Sequence, residues 1–321
     1  MSSVLTNLVP LPLAVGFGVP SLAAAGVLLI HETAAAGYPW SVVQGMGGEK
    51  FDLGTADSNR TAVPMEGWIH LDQAKALLAA AGQDFDSLKA RATTREFAPV
   101  RLGLKASITI KNRIRRVASR NVIAKLEGSD PVLKDEYLIY TAHWDHFGVS
   151  TPVNGDSIYN GAADNASGTA GLLDLARAFK AMPTAPKRSI LFLAVTGEEQ
   201  GLLGSQYYSV MPLYPLAKTL ANINIDMLNT VGRTTDLVVI GKGASELEDY
   251  AAAAATEQGR ILKPDPESEK GFYYRSDHFN FAKQGVPAFY AEAGVEVIGK
   301  PADYGMAMRK RYTAEDYHKP S

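Results

Sequence analysis

The strongest constraint on the fold is a regular alternation of helix-type and strand-type segments that begins near residue 168. The segment at 168–182 carries apolar residues at helical spacing, from Leu172 to Phe179, and an apolar strand-type run follows it at 189–196. The same alternation predicts further helices at 201–211 and 245–257, and further strands at 222–227, 237–241 and 287–291. Alternating units of this kind predict an α/β fold, with a mixed, mostly parallel sheet and helices on both of its faces.

The upstream part of the chain has a different pattern of predicted segments, which predicts two domains, 1–100 and 101–321. In the first, residues 63–82 predict a strand followed by a helix over 71–81, which Gly82 ends. In the second, the segments before the alternation predict strands at 106–111, 119–126 and 137–141. The first domain is therefore expected to be a smaller α+β unit.

Composition excludes several classes of site and partner. The chain has 321 residues and a formal net charge of −2, so neither nucleic acid nor an anionic membrane is an expected partner. It contains no cysteine, which excludes disulfides, thiolate metal sites and cysteine nucleophiles. Residues 8–30 carry no charge, but Pro10, Pro12 and Pro20 interrupt the run, so short strands and loops are preferred over a membrane helix or signal segment.

Acids and histidines recur at the ends of predicted strands and before a predicted helix. In chain order these residues are His143 and Asp145, then Asp164, then Glu198 and Glu199, and then Asp226. His143 and Asp145 lie on the same face of an extended chain, so the carboxylate is placed to orient the imidazole or to share its site. Taken alone, each residue has an ordinary structural interpretation, such as a buried histidine, a turn residue or a helix start.

The recurrence at one end of consecutive strands indicates a metal site. In α/β sheets, ligands bind beyond the carboxyl ends of the strands. Clustered carboxylates without a cation would destabilise such an edge, and a bound cation is their natural partner. Oxygen and imidazole ligands without sulfur favour a hydrolytic zinc site, including the two-metal type. Glu198 and Glu199 would point in different directions from a bend, so that one binds metal and the other accepts a proton from water.

Six stretches of sequence together resemble the family of di-zinc aminopeptidases that includes bacterial leucyl aminopeptidases and glutamate-carboxypeptidase-like enzymes. They are "TAHWDHFG", "NGAADNASGTAGLLDLARAF", "FLAVTGEEQGLLGSQYY", "NINIDMLN", "YYRSDHFNFAKQGVPAFY" and "DYHKPS", in the family's order. The resemblance runs from about Ser119 to the C-terminus and implies a zinc-exopeptidase-like catalytic domain over 101–321. Residues from about Gly26 to Gly82 resemble the protease-associated domain that many members carry, so that 1–100 would be a partial domain of that type.

The resemblance also implies a role for each candidate ligand. His143 and Asp226 would bind one zinc ion, Glu199 and His318 a second, and Asp164 would bridge the two, which gives two Zn²⁺ per chain. Glu198 would be the general base and later the general acid. His278 is the alternative to His318, but the family's pattern near the C-terminus selects His318.

Supporting residues follow from the same resemblance. Asp145 would orient His143, and Tyr273 matches a position that in some members hydrogen-bonds the tetrahedral oxyanion. Asp277 and His278 would line the substrate pocket. The remaining histidines are interpreted as structural: His146 near the site, and His31 and His70 in the first domain.

The implied function is metal-dependent removal of N-terminal residues from peptides, with a peptide as the partner. Alternatives are a carboxypeptidase or dipeptidase of the same fold, for which Arg275 is a candidate to hold a substrate carboxylate, and a non-catalytic binding module. A glutaminyl cyclase is also related, but the retention of both His143 and Asp226 argues against it. Family members are mostly periplasmic or secreted, which implies such a location, although the sequence has no clear signal peptide. Side-chain specificity and oligomeric state stay open.

The sequence departs from the family pattern at both ends. Members normally continue past the equivalent of "HKPS" with an acid and a C-terminal helix, and they begin with a helical segment of the peptidase domain. The resemblance therefore implies a domain shortened at both ends. With His318 three residues from Ser321, the second metal would be held weakly.

Overall fold

The computed structural model describes residues 25–45, 49–54 and 63–320. These residues divide into two compact units. The first ends at Ala118 and the second begins at Ser119, with residues 49–52 grouped with the second. The division lies downstream of the boundary that the sequence predicts near residue 100.

The first unit is a small α/β arrangement around a two-stranded parallel sheet. Its elements are β1 (Val27–His31), α1 (Thr33–Ala36), α2 (Trp40–Gly45), β2 (Glu66–His70), α3 (Leu71–Ala80) and α4 (Phe85–Ala92). The strand and helix predicted within 63–82 are therefore confirmed as β2 and α3. Asp84 ends the turn between the helices and caps α4, because its carboxylate accepts a hydrogen bond from the Ser87 N–H at 2.8 Å. Leu78, Phe85 and Leu88 form the buried cluster of this unit.

The strand predicted at 106–111 is wrong. This segment alternates apolar and polar residues, but it has no regular secondary structure, and Ile108 and Ile110 are each more than half exposed. A strand needs a neighbour for its backbone hydrogen bonds, and none of the named strands pairs with this segment. Period-two alternation is thus not sufficient for a strand.

The second unit contains the larger sheet and its helices. Its strands are β3 (Val122–Leu126), β4 (Tyr137–His143), β5 (Gly148–Val153), β6 (Asp156–Tyr159), β7 (Ser189–Val195), β8 (Thr219–Asn224), β9 (Asp236–Val239), β10 (Ile261–Pro264) and β11 (Ala288–Ala293). Its helices are α5 (Ser167–Lys180), α6 (Leu203–Val210), α7 (Leu247–Glu257), α8 (His278–Lys283) and α9 (Tyr304–Glu315). The strands and helices predicted from residue 119 onward match this order, whereas β5, β6, β10, α8 and α9 are not predicted from the sequence.

Seven of these strands form one mixed sheet, in the order β10-β9-β11-β8-β4-β7-β3. At its centre β4 runs parallel to both β7 and β8, and β8 runs parallel to β11. The reversed strands lie outside this group, with β3 antiparallel to β7 and β9 antiparallel to β11. The mixed, mostly parallel sheet is confirmed, and the carboxyl ends of four neighbouring strands meet at one edge.

Helices cover both faces of this sheet, as predicted. Phe179 of α5 packs against Tyr140 of β4 on one face, with ring centroids 5.8 Å apart. Ile139 precedes Tyr140 and faces the opposite side, because successive side chains of a strand alternate. There it clusters with Tyr208 of α6 and Phe281 of α8. The central strands are consequently buried on both sides and place their ends rigidly.

The uncharged run at 8–30 lies mostly outside the described residues, and its last part contributes to β1. Over the ranges that the structure does describe, every helix is too short or too polar to cross a membrane.

Candidate metal centre

The central parallel strands deliver the candidate ligands to a common edge. His143 is the last residue of β4, Glu198 and Glu199 follow the end of β7, and Asp226 lies two residues beyond β8. The backbone ties these ends together, since the Ile225 N–H donates to the Thr141 carbonyl at 2.8 Å. Parallel pairing thus explains why residues distant in sequence converge.

One group of ligand-type side chains surrounds His143, which is 1% exposed. Its Nε2 lies 3.0 Å from Asp164 Oδ1 and 3.2 Å from Asp226 Oδ1. Its Nδ1 lies 2.9 Å from the backbone carbonyl of Asp145, which fixes the ring and directs Nε2 toward the two carboxylates. These three side chains, those of His143, Asp164 and Asp226, each offer an atom within 4.8 Å of the other two.

A second group lies on the other side of Asp164. His318 Nε2 is 3.1 Å from Glu199 Oε2 and 3.7 Å from Asp164 Oδ2. His146 Nδ1 is 2.6 Å from Glu199 Oε1. The two oxygens of the Asp164 carboxylate therefore face different histidines, Oδ1 toward His143 and Oδ2 toward His318.

The turn that carries Asp164 is held by the buried side chain of Asn165. Its Oδ1 accepts hydrogen bonds from the Gly168 N–H at 2.9 Å and the Met227 N–H at 3.0 Å, and its Nδ2 donates to the Ile225 carbonyl at 2.9 Å. Asn165 thereby satisfies an N–H in the first turn of α5 and links this turn to the segment that carries Asp226. This amide therefore helps to set the spacing between Asp164 and Asp226.

Glu198 lies in a buried position beside both groups. It is 8% exposed, and its Oε2 is 4.0 Å from His143 Nε2. Burial raises the pKa of Glu198 well above its usual range, and the neighbouring carboxylates of Glu199 and Asp226 raise it further. A carboxyl in this environment is suited to holding a proton near neutral pH.

The side chain of Asp145 holds the turn that presents the glutamate pair. Its Oδ2 accepts hydrogen bonds from Thr196 Oγ1 at 2.6 Å and from the Gly197 N–H at 2.7 Å. The sequence expectation was that this carboxylate orients His143. In the structure the Asp145 backbone carbonyl makes that contact, and the carboxylate reaches across to the end of β7.

The histidines and acids of the two groups shift each other's pKa values. Burial alone would lower the pKa of His143, but Asp226, Glu198 and Asp164 outweigh it and hold the pKa well above 6.5. Burial would raise the pKa of Glu199, but the adjacent His318 and His146 lower it instead. Burial and the Glu199 charge raise the pKa of Asp164.

This donor set fits divalent cations. Four carboxylates converge with three imidazoles, and two of the buried polar atoms that meet there, Glu199 Oε1 and His146 Nδ1, lack a hydrogen-bond partner within the described part of the chain. Buried polar atoms without partners are costly, so their convergence indicates a bound group that would satisfy them. Carboxylate and imidazole donors without sulfur match zinc and related ions.

A chain of buried hydrogen bonds leads from the sheet interior to Asp226. Ser276 Oγ donates to Asp226 Oδ2 at 2.5 Å and accepts from Asn224 Nδ2 at 2.7 Å. Asn224 Oδ1 in turn accepts from Thr141 Oγ1 at 2.7 Å, and Thr141 Oγ1 accepts from Asn222 Nδ2 at 3.1 Å. Every hydrogen bond in this series donates toward Asp226 or toward the group before it. The series holds Asp226 Oδ2, which leaves Oδ1 directed toward His143.

Among the described residues, the ligand groups do not include the residues expected to line the pocket. Tyr273 packs its ring 5.0 Å from the ring of His278, and His278 lies 5.0 Å from the ring of Tyr290. His278 is fully buried, and burial lowers its pKa to about 3. Asp277 is also fully buried, which raises its pKa to about 7. Of the two candidate histidines, the structure brings His318 and not His278 to Glu199.

Tyr317 is not predicted from the sequence as a site residue, and His146 is predicted only as a structural residue. Tyr317 is half-buried and stacks on His318, with ring centroids 3.7 Å apart, and desolvation together with Glu199 and Asp164 raises its pKa. A signal for both existed in the sequence, since each adjoins a segment that carries a proposed ligand. Ser276 likewise precedes Asp277, but only the fold shows that it contacts Asp226.

The fold and this site define the chain as an α/β protein with a candidate metal centre at the carboxyl edge of its central strands. The model of Peptidase family M28 matches residues 121–321. This is more than half of the chain, and the chain belongs to that family.

Curated relatives match over part of their length. A "Probable zinc metalloprotease" of Pyrenophora teres f. teres is 41% identical over 108 residues, which cover 33% of this chain and 22% of that protein. "Aminopeptidase NAALADL1" of Rattus norvegicus is 33% identical over 207 residues, which cover 63% of this chain and 25% of that protein. The matches to these two relatives thus span about a quarter of their length.

Among solved structures, an aminopeptidase from Aneurinibacillus sp. strain AM-1 is similar over 93% of this chain and 64% of that chain, with a TM-score of 0.50. The two sequences are 20% identical in this comparison, so the likeness concerns the fold. It agrees with the mixed sheet and flanking helices described above.

Proposed function

We propose that this protein is a two-zinc aminopeptidase that removes N-terminal residues from peptides. The observation that carries the proposal is the placement of Asp164 between two groups of ligands. One of its oxygens lies 3.0 Å from His143 Nε2, and the other lies 3.7 Å from His318 Nε2. A carboxylate that faces two histidines with different oxygens is suited to bridge two cations.

The proposed ligand sets follow from these distances. His143, Asp226 and one oxygen of Asp164 would hold the first zinc ion. Glu199, His318 and the other oxygen of Asp164 would hold the second. When bound, the two ions would polarise the scissile carbonyl and lower the pKa of the attacking water.

Glu198 would move the proton. Its carboxylate is buried beside both ligand groups, where it would accept a proton from the attacking water and then donate it to the leaving amine. The raised pKa of Glu198 supports the second step, because a carboxyl that keeps its proton near neutral pH is an effective acid. Asp145 would hold the turn before Glu198 through Thr196 and Gly197, and so keep the carboxylate in place.

Residues outside the ligand groups would support the reaction. Tyr273 would donate to the developing oxyanion after a movement of its ring, and Asp277 and His278 would support the pocket wall from their buried positions. Residues 1–100 would be a partial protease-associated domain. The similarity to the aminopeptidase of Rattus norvegicus supports aminopeptidase over carboxypeptidase activity.

The test compares the wild-type chain with Glu198→Gln. We expect the variant to bind zinc as the wild type does and to hydrolyse aminoacyl anilides about 100- to 10,000-fold more slowly, the range typical for loss of a general base. Glu257→Gln is the matched control, since Glu257 is exposed on α7. A fully active Glu198→Gln variant with normal zinc content would contradict the role of Glu198.

The substrate panel separates the alternative functions. Wild-type protein is assayed on aminoacyl anilides and on N-acylated dipeptides with a free carboxyl terminus. Release from the anilides alone supports an aminopeptidase. Release from the acylated dipeptides alone would indicate a carboxypeptidase, and zinc binding without turnover of either would indicate a binding module.

A further inference from the structure

We propose that His146 is an additional ligand of the second zinc ion, through its Nδ1, beside Asp164, Glu199 and His318. The inference rests on the proposed function, because it presupposes that the centre holds two zinc ions. It gives a direct role to a histidine that sequence reasoning places near the site only as a structural residue.

Three potential ligands converge at His146. His146 Nδ1 lies 2.6 Å from Glu199 Oε1, and His146, Asp164 and Glu199 each offer one ligand atom within 4.8 Å of the other two. The His146 side chain is 9% exposed and that of Glu199 is 5% exposed. A buried imidazole and two carboxylates that meet in this way form a cation site by their own geometry.

The two atoms that meet most closely in this group are not hydrogen-bonded. Neither His146 Nδ1 nor Glu199 Oε1 has a hydrogen-bond partner in the described part of the chain. The two atoms are close but are not aligned as a donor and an acceptor. Two buried polar atoms that approach a common point without bonding each other are arranged as ligands of a third group.

A glycine beside His146 leaves space for its imidazole. A Cβ atom on Gly161 would lie 2.6 Å from His146 Cβ and 2.9 Å from His146 Cγ. Gly161 also has a φ of +63°, which favours glycine. It precedes the turn that carries Asp164, so the glycine lets His146 approach the bridging carboxylate closely.

Phe147 fixes both histidines of this group. Its ring lies edge-on to His146 at 5.0 Å and to His318 at 4.8 Å, measured between centroids. The second zinc ion would then have two imidazoles and two carboxylates, whereas the first would have one imidazole, that of His143, and two carboxylates. We therefore expect the second site to retain zinc, with lower affinity, when His318 is replaced by alanine.

The direct test is a nuclear magnetic resonance measurement on the wild-type chain. The protein is labelled with nitrogen-15 at histidine, freed of metal and loaded with two equivalents of cadmium-113. Bonding predicts a cadmium–nitrogen scalar coupling at His146 Nδ1, in addition to couplings at His143 and His318. Couplings at His143 and His318 without one at His146 would overturn the inference and leave the proposed function intact.

The variant test uses His146→Asn. Asparagine places an amide near the position of Nδ1, so it keeps a polar group of similar size beside Glu199 but is a poor zinc ligand. We expect the weaker of the two zinc dissociation constants to rise by at least about tenfold. His70→Asn is the control, because His70 belongs to the first unit and is partly exposed.

The outcomes separate the two claims. Unchanged zinc affinity in a folded His146→Asn variant would overturn the role of His146 as a ligand. A wild-type chain that binds no zinc would contradict the proposed function itself, and the inference would fall with it. If His146→Asn does not fold, the cadmium coupling of the wild-type chain decides the question alone.

Discussion

Replacing Ser276 by alanine tests whether the buried hydrogen-bond chain positions Asp226. Ser276 Oγ joins the sheet interior to this carboxylate, since it accepts from Asn224 Nδ2 at 2.7 Å and donates to Asp226 Oδ2 at 2.5 Å. The serine is 1% exposed, so water cannot replace the hydroxyl without opening the core. The substitution therefore removes a partner from two polar groups at once.

The magnitude follows from these two groups. A buried polar group left without a partner costs about 1–3 kcal/mol. The Asn224 side chain is buried, so its unpaired amide would be destabilised by the full amount. The Asp226 side chain is 15% exposed, so water would replace part of the lost hydrogen bond. We expect Ser276→Ala to lower the free energy of unfolding of the second unit by about 2–4 kcal/mol.

The assay is urea unfolding of metal-free protein, followed by circular dichroism. Ser209→Ala is the matched control, because Ser209 is also buried but its hydroxyl donates only to the Gln206 carbonyl within α6. We expect that control to lose less than about 1 kcal/mol. Equal losses in the two variants would refute the idea that the Ser276 hydroxyl has a special role in holding Asp226.

Two further predictions concern the contact between α6 and the end of β7, and the first unit. A Cβ atom on Gly204 would lie 2.3 Å from the Thr196 carbonyl oxygen, so Gly204→Ala should lower the free energy of unfolding in urea by at least about 1–3 kcal/mol. Gly54→Ala is the control, because a Cβ atom on Gly54 would meet open space. Equal urea midpoints for the two variants would contradict this prediction. Burial lowers the pKa of His31 below 6.5, and His70 lowers it further. The folded first unit then binds fewer protons than the unfolded chain, so its stability should fall as the pH drops below about 6.5. A histidine titration by nuclear magnetic resonance that gives His31 a pKa above 6.5 would exclude this.

The sequence predicts the sheet and most of the site because the relevant signals are local. A run of apolar residues followed by His143, or by Glu198 and Glu199, predicts a buried strand with polar side chains at its end. Parallel pairing then brings such ends together. The contact of the Asp145 carboxylate with Thr196 and Gly197 could not be predicted in this way, because its partners lie some 50 positions along the chain.

Other features depend on packing that no local pattern encodes. The segment at 106–111 has the alternation of a strand, but a strand also needs a neighbouring strand, which the pattern does not specify. The polar side chains of Asn222 and Asn224 are visible in the strand "NINI", yet their donor and acceptor directions depend on Thr141 and Ser276. The position of His146 beside Glu199 could not be predicted either, because it depends on the space that Gly161 leaves.

Zinc content of the purified chain, measured by mass spectrometry alongside hydrolysis of aminoacyl anilides, tests the central claim most directly. The proposed centre predicts two zinc ions per chain, and removal of zinc by a chelator should abolish hydrolysis until zinc is restored. One zinc ion per active chain would contradict the two-metal arrangement around Asp164. Full activity in metal-free protein would contradict a metal-dependent mechanism altogether.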